Sequence, residues 1–261
     1  METGEPHLER LRTALVTGAG IRVGRAIAQA LASRSYAVAI HYRGSKEAAE
    51  ETAHEVTQAG GRAVLVQADL TDRDSLRQLV ARSSELLGGP LGALVNNASR
   101  FEPDSLLSMT EAEFDAHMAI HVTAPVLLSQ YFARQLPENC RGDIVHLLDQ
   151  RVLRPNPLFF SYTLSKMALH AATRTMAQAL APNIRVNAVA PGPTLRNARQ
   201  SAQDFQRQRD ATLLGTGSRP QDIAACVAFL LEIEGVTGQT IAVDGAQNLI
   251  WLTPDIEGIA E

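Results

Sequence analysis

Apolar residues in this chain come in short blocks, separated by longer stretches in which they recur every three or four positions. The blocks "TALVTG" (13–18), "YAVAIHY" (36–42), "RAVLVQADL" (62–70), "GALVNNAS" (92–99), "DIVHLLD" (143–149), "IRVNAVAPG" (184–192) and "QTIAVDG" (239–245) read as strands. Between them, "GRAIAQALASRS" (24–35) sets Ile27, Ala30 and Leu31 on one helical face. Residues 45–60, a polar stretch ending near Leu87, and 161–181 also read as helices. Short apolar strands alternating with helices predict a parallel sheet buried on both faces. No repeat or Pro/Ser-rich linker divides residues 1–261, so a single doubly wound α/β domain is expected. The polar segment 196–215 breaks the alternation and is expected to be a mobile cover over a substrate.

Composition removes whole classes of function. The formal net charge of −4 leaves no cation excess for nucleic acid or anionic lipid. Cys140 and Cys226 are the only cysteines and form no CxxC, as in a reducing compartment. The start, "METGEPHLERLRT", lacks the apolar run of a leader, and no run approaches the roughly 18 apolar residues of a membrane span. A cytoplasmic protein is expected.

The turn after the first strand, "TGAGIRVG" (17–24), precedes a helix, where backbone N–H groups can face a diphosphate. Gly18 suits a tight turn with close approach, and Gly24 lets the helix pack near the strand. The spacing departs from G-x-G-x-x-G, because Val23 stands where the last glycine would fall. A site selective for NAD carries an acid about 20 residues further on, at the ribose hydroxyls. Here the second strand ends in "HYRGS", and the first acid is Glu47. Arg43, with His41 and Ser45 nearby, suits a 2′-phosphate; the alternative is a solvated strand-end charge. With Arg22 as a second cation, the pattern favours NADPH over NADH.

"SYTLSK" sets Tyr162 and Lys166 one helical turn apart. A phenol with a pKa of about 10 is a poor acid near neutrality, and an ammonium beside it can lower that value.

Together these motifs resemble the short-chain dehydrogenase/reductase family, from "TGAGIRVG" through "NNAS", "YTLSK" and "RVNAVAPG" to "VTGQTIAVDG". The resemblance implies a Rossmann fold, a homotetramer and a set of NADPH contacts. Asp69 would meet the adenine, with Tyr42 and Leu70 nearby, and the Asn97–Ala98–Ser99 turn would lie along the cofactor. Lys166 would hold the nicotinamide ribose, with Pro191, Gly192 and Thr194 around the ring.

Three departures narrow the resemblance. Loops of this family usually carry glycine where this chain has Arg22, and serine where it has Asp149. A carboxylate repels the alkoxide formed from a ketone but suits N–H donors or ring nitrogens that need protons. Arg22, Asp149 and "NNASRF", with Ser99 and Phe101, resemble the pteridine reductase group, in which a pterin lies between nicotinamide and an aromatic ring. The loop arginine and the serine of that group help bind substrate and cofactor phosphate. His121 in "AIHVTAP" replaces a usual asparagine, and "IHV" is most similar to bacterial dihydromonapterin reductases.

The resemblance therefore implies hydride delivery to C6 of a 7,8-dihydropterin, dihydrofolate being an open case, with Tyr162 protonating N5. Asp149 would orient or help protonate the ring, Phe101 would stack on it, and His121 would hold a helix carbonyl and a relay water. A general carbonyl or 3-oxoacyl thioester reductase is the rival enzyme, and an NADPH-binding regulatory protein the rival of another class. His117 and His121 have H-x-x-x-H spacing without a third ligand, so no metal is expected. His146 reads as a core histidine, and Trp251 as interface or core filling.

Overall fold

The computed structural model describes residues 8–253 and 256–258; the first seven residues, part of the stretch read for a leader, lie outside them. Seven parallel strands form the sheet: β1 (Thr13–Val16), β2 (Ala37–Tyr42), β3 (Arg62–Gln67), β4 (Ala93–Asn96), β5 (Cys140–Leu147), β6 (Ile184–Pro191) and β7 (Thr240–Val243). Their order is β3-β2-β1-β4-β5-β6-β7. A two-residue piece, Glu9–Arg10, pairs with Cys140 and Arg141 ahead of β4. That pairing is why β5 starts three residues before the apolar block at Asp143.

Alternate residues of each strand serve opposite faces. Val16, Ile40, Val95 and Val145 pack with α1 (Arg22–Ala32) and α8 (Pro220–Glu232), through Ile27, Leu31, Val227 and Leu231. Leu15, Ala39, Leu94 and Ile144 pack on the other face. There they meet α3 (Arg73–Leu87), α5 (Ala124–Gln135) and α6 (Phe160–Leu180), through Leu79, Leu128, Phe132 and Ala177. Each fully buried Leu or Ile contributes about 1.5–3 kcal/mol, so strands apolar on both faces anchor both layers. Helix α2 (Lys46–Gln58) contributes Ala49 to the first face.

Helix α1 begins at Arg22, two residues before the helical pattern read from the sequence. Helix α8 covers a stretch to which that pattern assigned no element. Helix α4 (Glu111–Met118) passes into α5 through one π turn, Ala119–Thr123. Helix α7 (Ala202–Asp210) lies inside the segment read as a cover; it buries no residue and is capped by Ser201 Oγ, which accepts from Asp204 N at 3.0 Å. Strand order reverses between β1 and β4, so the crevice beyond their carboxyl ends is where such a sheet binds a ligand.

Candidate active site

A cleft of about 850 Å³ lies at that switch point, lined from the ends of β1, β2, β4, β5 and β6. Gly18 leaves β1 with φ +63, and a side chain there would meet Ala98. Asn97 Nδ2 donates to Thr17 O at 2.8 Å and Gly18 O at 3.1 Å, binding the first loop to the turn after β4. Gly24 packs on this junction rather than on a strand: a Cβ would fall 2.6 Å from Asn97 Nδ2 and closer still to Gly18 O. The first turn of α1 holds no acid, so its N-terminus faces the cleft with an uncancelled positive end. Tyr42, Arg43, Ser45 and Leu70 form the outer wall. A bare glycine turn, a helix N-terminus and a cation beyond them fit a dinucleotide diphosphate with a further phosphate.

Arg22 occupies the usual glycine position with φ +55, a left-handed conformation costing about 1–2 kcal/mol for a residue with a Cβ. Its guanidinium crosses the cleft and donates to Leu195 O at 3.0 Å and Arg196 O at 3.1 Å. The glycine loop thus holds the chain that leaves β6.

His41 lines the cleft but takes a different part from the phosphate contact expected near Arg43. Gly18 N donates to its Nδ1 at 3.0 Å, so Nε2 carries the hydrogen and donates to Ala68 O at 3.1 Å. Burial lowers its pKa to about 4, leaving a neutral brace between loops. Asp69 lies outside the cleft wall, its carboxylate accepting from Thr71 N at 2.8 Å and Thr71 Oγ1 at 2.7 Å. Thr194 is in the wall, with its hydroxyl 2.7 Å from Ser218 Oγ.

Asp149 follows β5 and caps a single 3₁₀ turn, Gln150–Val152: its Oδ1 accepts from Arg151 N at 2.9 Å. The cap ends the strand at Leu147, short of the 143–149 block. Its Oδ2 accepts from the Tyr162 hydroxyl at 3.0 Å. Burial first, then the charge of Asp149, hold the Tyr162 phenol well above its ordinary pKa. This reverses the expectation that Lys166 lowers it. The ammonium sits 5.8 Å from the Tyr162 ring centre and donates to Leu147 O at 2.6 Å. Burial brings Lys166 down to about 8. The corner therefore holds a protonated phenol against a carboxylate.

His121, 1% exposed, lies beneath the cleft wall rather than in it. Its Nε2 accepts from Arg100 N at 3.2 Å and meets Ser99 Oγ at 3.0 Å. Nδ1 therefore carries the hydrogen toward Ser165 Oγ at 2.8 Å, and Ser165 in turn donates to Tyr162 O at 2.7 Å. Burial lowers its pKa far below the usual value, so it positions Ser99 and α6 and is not a catalytic residue in this geometry. His117, stacked on it at 5.7 Å, repeats the pattern with Ser161 at 2.7 Å. The H-x-x-x-H pair is thus two parallel rungs between helices.

Phe101 forms the wall beyond Tyr162, whose ring meets it edge-on at 4.7 Å. Phe159 backs it, parallel at 4.2 Å and 6°. Phe159 carries φ +55, held by its N–H to Asp104 O at 3.0 Å. Arg199 reaches from the 196–215 segment to Glu102 at 2.6 Å and to Phe101 O. That segment therefore does border the cleft, through Asn197, Arg199, Gln200, Phe205 and Gln208. Phe159, Arg151 and Arg199 were not singled out from sequence. Only Arg151, two residues after Asp149, carried a local hint.

Val23, Ala98, Ser99, Pro191 and Gly192 complete the wall. Residues 18–247 match a family model described as enoyl-(acyl carrier protein) reductase. The chain belongs to the short-chain dehydrogenase/reductase family. It is an oxidoreductase of that family. Among solved structures, it is similar to the FolM alternative dihydrofolate reductase 1 from Brucella suis in complex with NADP, with 46% identity, TM-score 0.90 and coverage of 94% of this chain and 98% of that one. Dihydromonapterin reductase from Citrobacter koseri is 32% identical, over 90% of this chain and 96% of the relative. The 3-oxoacyl-[acyl-carrier-protein] reductase FabG of Staphylococcus aureus is also 32% identical, over 93% and 100%. Overall identity to these two relatives is equal, so the site must separate pterin from thioester chemistry. No described helix is long and apolar enough to cross a membrane.

Proposed function

We propose that this chain reduces a 7,8-dihydropterin to the tetrahydropterin with NADPH. The observation that carries the reading is the Asp149–Tyr162 contact, where Oδ2 accepts the phenol hydrogen at 3.0 Å. A carboxylate there opposes an alkoxide, whereas it can accept a hydrogen bond from a ring N–H. The cofactor is NADP(H), and when bound it supplies the hydride to C6. Tyr162 is held protonated in the resting site by burial and Asp149. It gives its proton to N5 once a pterin N–H engages Asp149, with the nearby Lys166 ammonium offsetting the phenolate and a proton from solvent restoring the phenol. Asp149 holds that O–H in the resting site and, by taking a pterin N–H instead, frees it for N5.

Among the described residues Lys166 has one acceptor, Leu147 O, leaving two further N–H groups for the nicotinamide ribose. Arg22 serves the cofactor phosphates and the pterin face, and Ser99 orients both. Phe101, backed by Phe159, supplies a stacking surface worth about 0.5–1.5 kcal/mol beyond burial. The enzyme acts in the cytoplasm as a homotetramer, a reading that exposed Val126, Leu164 and Met167 on α5 and α6 support.

NADPH oxidation by wild type and Asp149→Ser tests this against dihydromonapterin, dihydrobiopterin, dihydrofolate and an acetoacetyl thioester. Dihydropterins should turn over best, and Asp149→Ser should lose about 100-fold on them, within the range of a general acid's contribution. Turnover of the thioester alone, or indifference of pterin turnover to Asp149→Ser, defeats the reading in favour of a carbonyl reductase.

A further inference from the structure

The cleft does not end at Phe101. A side pocket of about 320 Å³ opens beside the ring and shares Phe101, Arg151, Arg199 and Gln208 with the main cleft. Its added walls are Phe159 and Asp204. At roughly 30 Å³ per water it has room for on the order of ten waters. A three-carbon hydroxylated chain would leave most of that space unfilled.

The charges in this pocket are unequal in availability. Arg199 is neutralised by Glu102 at 2.6 Å, and Asp204 is bound by the Ser201 hydroxyl at 2.6 Å and by Arg207. Arg151 is different. Its Nη1 donates to two neutral oxygens, Asn156 Oδ1 and Leu158 O, each at 3.0 Å. Its one carboxylate neighbour, Asp149, is 3.8 Å away on the Nε side and already accepts from Arg151 N and Tyr162. Among the described residues, Nη2 has no hydrogen-bond acceptor. The guanidinium lies 5.0 Å over Phe159 and 5.9 Å from the Phe101 ring centre. A planar cation with a free edge, beside an aromatic pair, suits a ring that ends in a carboxylate.

Resting on the dihydropterin reading, we propose that this pocket is the subsite for the pterin's C6 substituent and that Arg151 selects one bearing an aromatic ring and a carboxylate. The test is the ratio of kcat/KM for dihydrofolate to that for dihydrobiopterin, whose side chain is small and neutral. It is measured in wild type, Arg151→Gln and Arg151→Lys. The backbone N–H that caps Asp149 survives both substitutions.

Arg151→Gln should lower the ratio tenfold or more, and Arg151→Lys should restore part of it. A merely structural role would depress both substrates together and leave the ratio in place. A change in ratio below threefold overturns the subsite while leaving pterin reduction standing. Absence of turnover of either pterin by wild type overturns the functional reading and the subsite with it.

Discussion

Strands β5 and β6 carry buried polar clusters at both ends. At the amino end Asp143 and Arg185 stand opposite each other in register, joined at 2.6 Å. Arg185 also donates to the carbonyls of Leu230, Leu231 and Val236, tying the end of α8 to the sheet. At the carboxyl end a carboxylate and a cation recur in Asp149 and Lys166, with Tyr162 between them; Asp149 is more exposed than Asp143, and among the described residues Lys166 meets a single protein oxygen. In the first cluster both Nη groups of Arg185 are committed to protein oxygens. The second keeps hydrogen-bonding capacity in reserve, and that difference separates a structural brace from a site that can receive ligands.

The sharpest way to break this comparison is Tyr162→Phe. It removes the phenol O–H held on Asp149, so turnover should fall by about 10³-fold while NADPH affinity stays within about threefold. Steady-state kinetics with a fluorescence titration of NADPH would check both. Retained turnover would mean that another group delivers the proton.

Arg185→Met tests the opposite end. It leaves Asp143 buried without its partner and should cost about 3–5 kcal/mol, read from denaturant unfolding, with kcat unchanged within twofold. A cost under 1 kcal/mol, or a large fall in kcat, would erase the distinction between the ends.

A smaller effect comes from pH. Burial outweighs Arg185 and raises Asp143 to about 6, against an unfolded value near 3.9. The folded chain therefore binds more protons than the unfolded one between those values, and this group's contribution to stability falls as pH rises through 6. Burial moves His41 to about 4 and His146 to about 3, so these act in the opposite sense: their stability is lost as pH falls below about 6.5. Asp143→Asn removes the opposing component. The gap in Tm between pH 4.5 and pH 6.5 should widen by roughly 2–4 °C, the shift that about 1 kcal/mol produces in a domain of this size. An unchanged gap would mean that Asp143 ionises at its ordinary pKa.

How much was legible in the chain differs between these clusters. The Tyr162/Lys166 pair was visible because its geometry is set by one helical turn, and the glycine loop because a strand, a turn and a helix are consecutive. The brace that His41 forms was not visible, because its partners come from the loops after β1 and β3, which local sequence does not report. The partners that Asp69 and His121 take within the protein, Thr71 for one and Ser99 with Ser165 for the other, were not visible either, because they depend on the folded geometry. Arg199 escaped notice because the segment carrying it has no apolar period, and α7 buries nothing that would create one.

By itself, then, the sequence determined the order of the sheet strands and of helices α1, α2, α3 and α6, the two-faced sheet and the Tyr162, Lys166 and Asp149 groups. These follow from periodicity and from contacts between residues a few positions apart. Only the tertiary structure decided which polar groups are spent and which are free. It turned Arg22 across the cleft, set Phe159 behind Phe101 and left one edge of Arg151 open. Those outcomes depend on partners as much as 174 residues away, and on desolvation that exists only once the chain has closed around them.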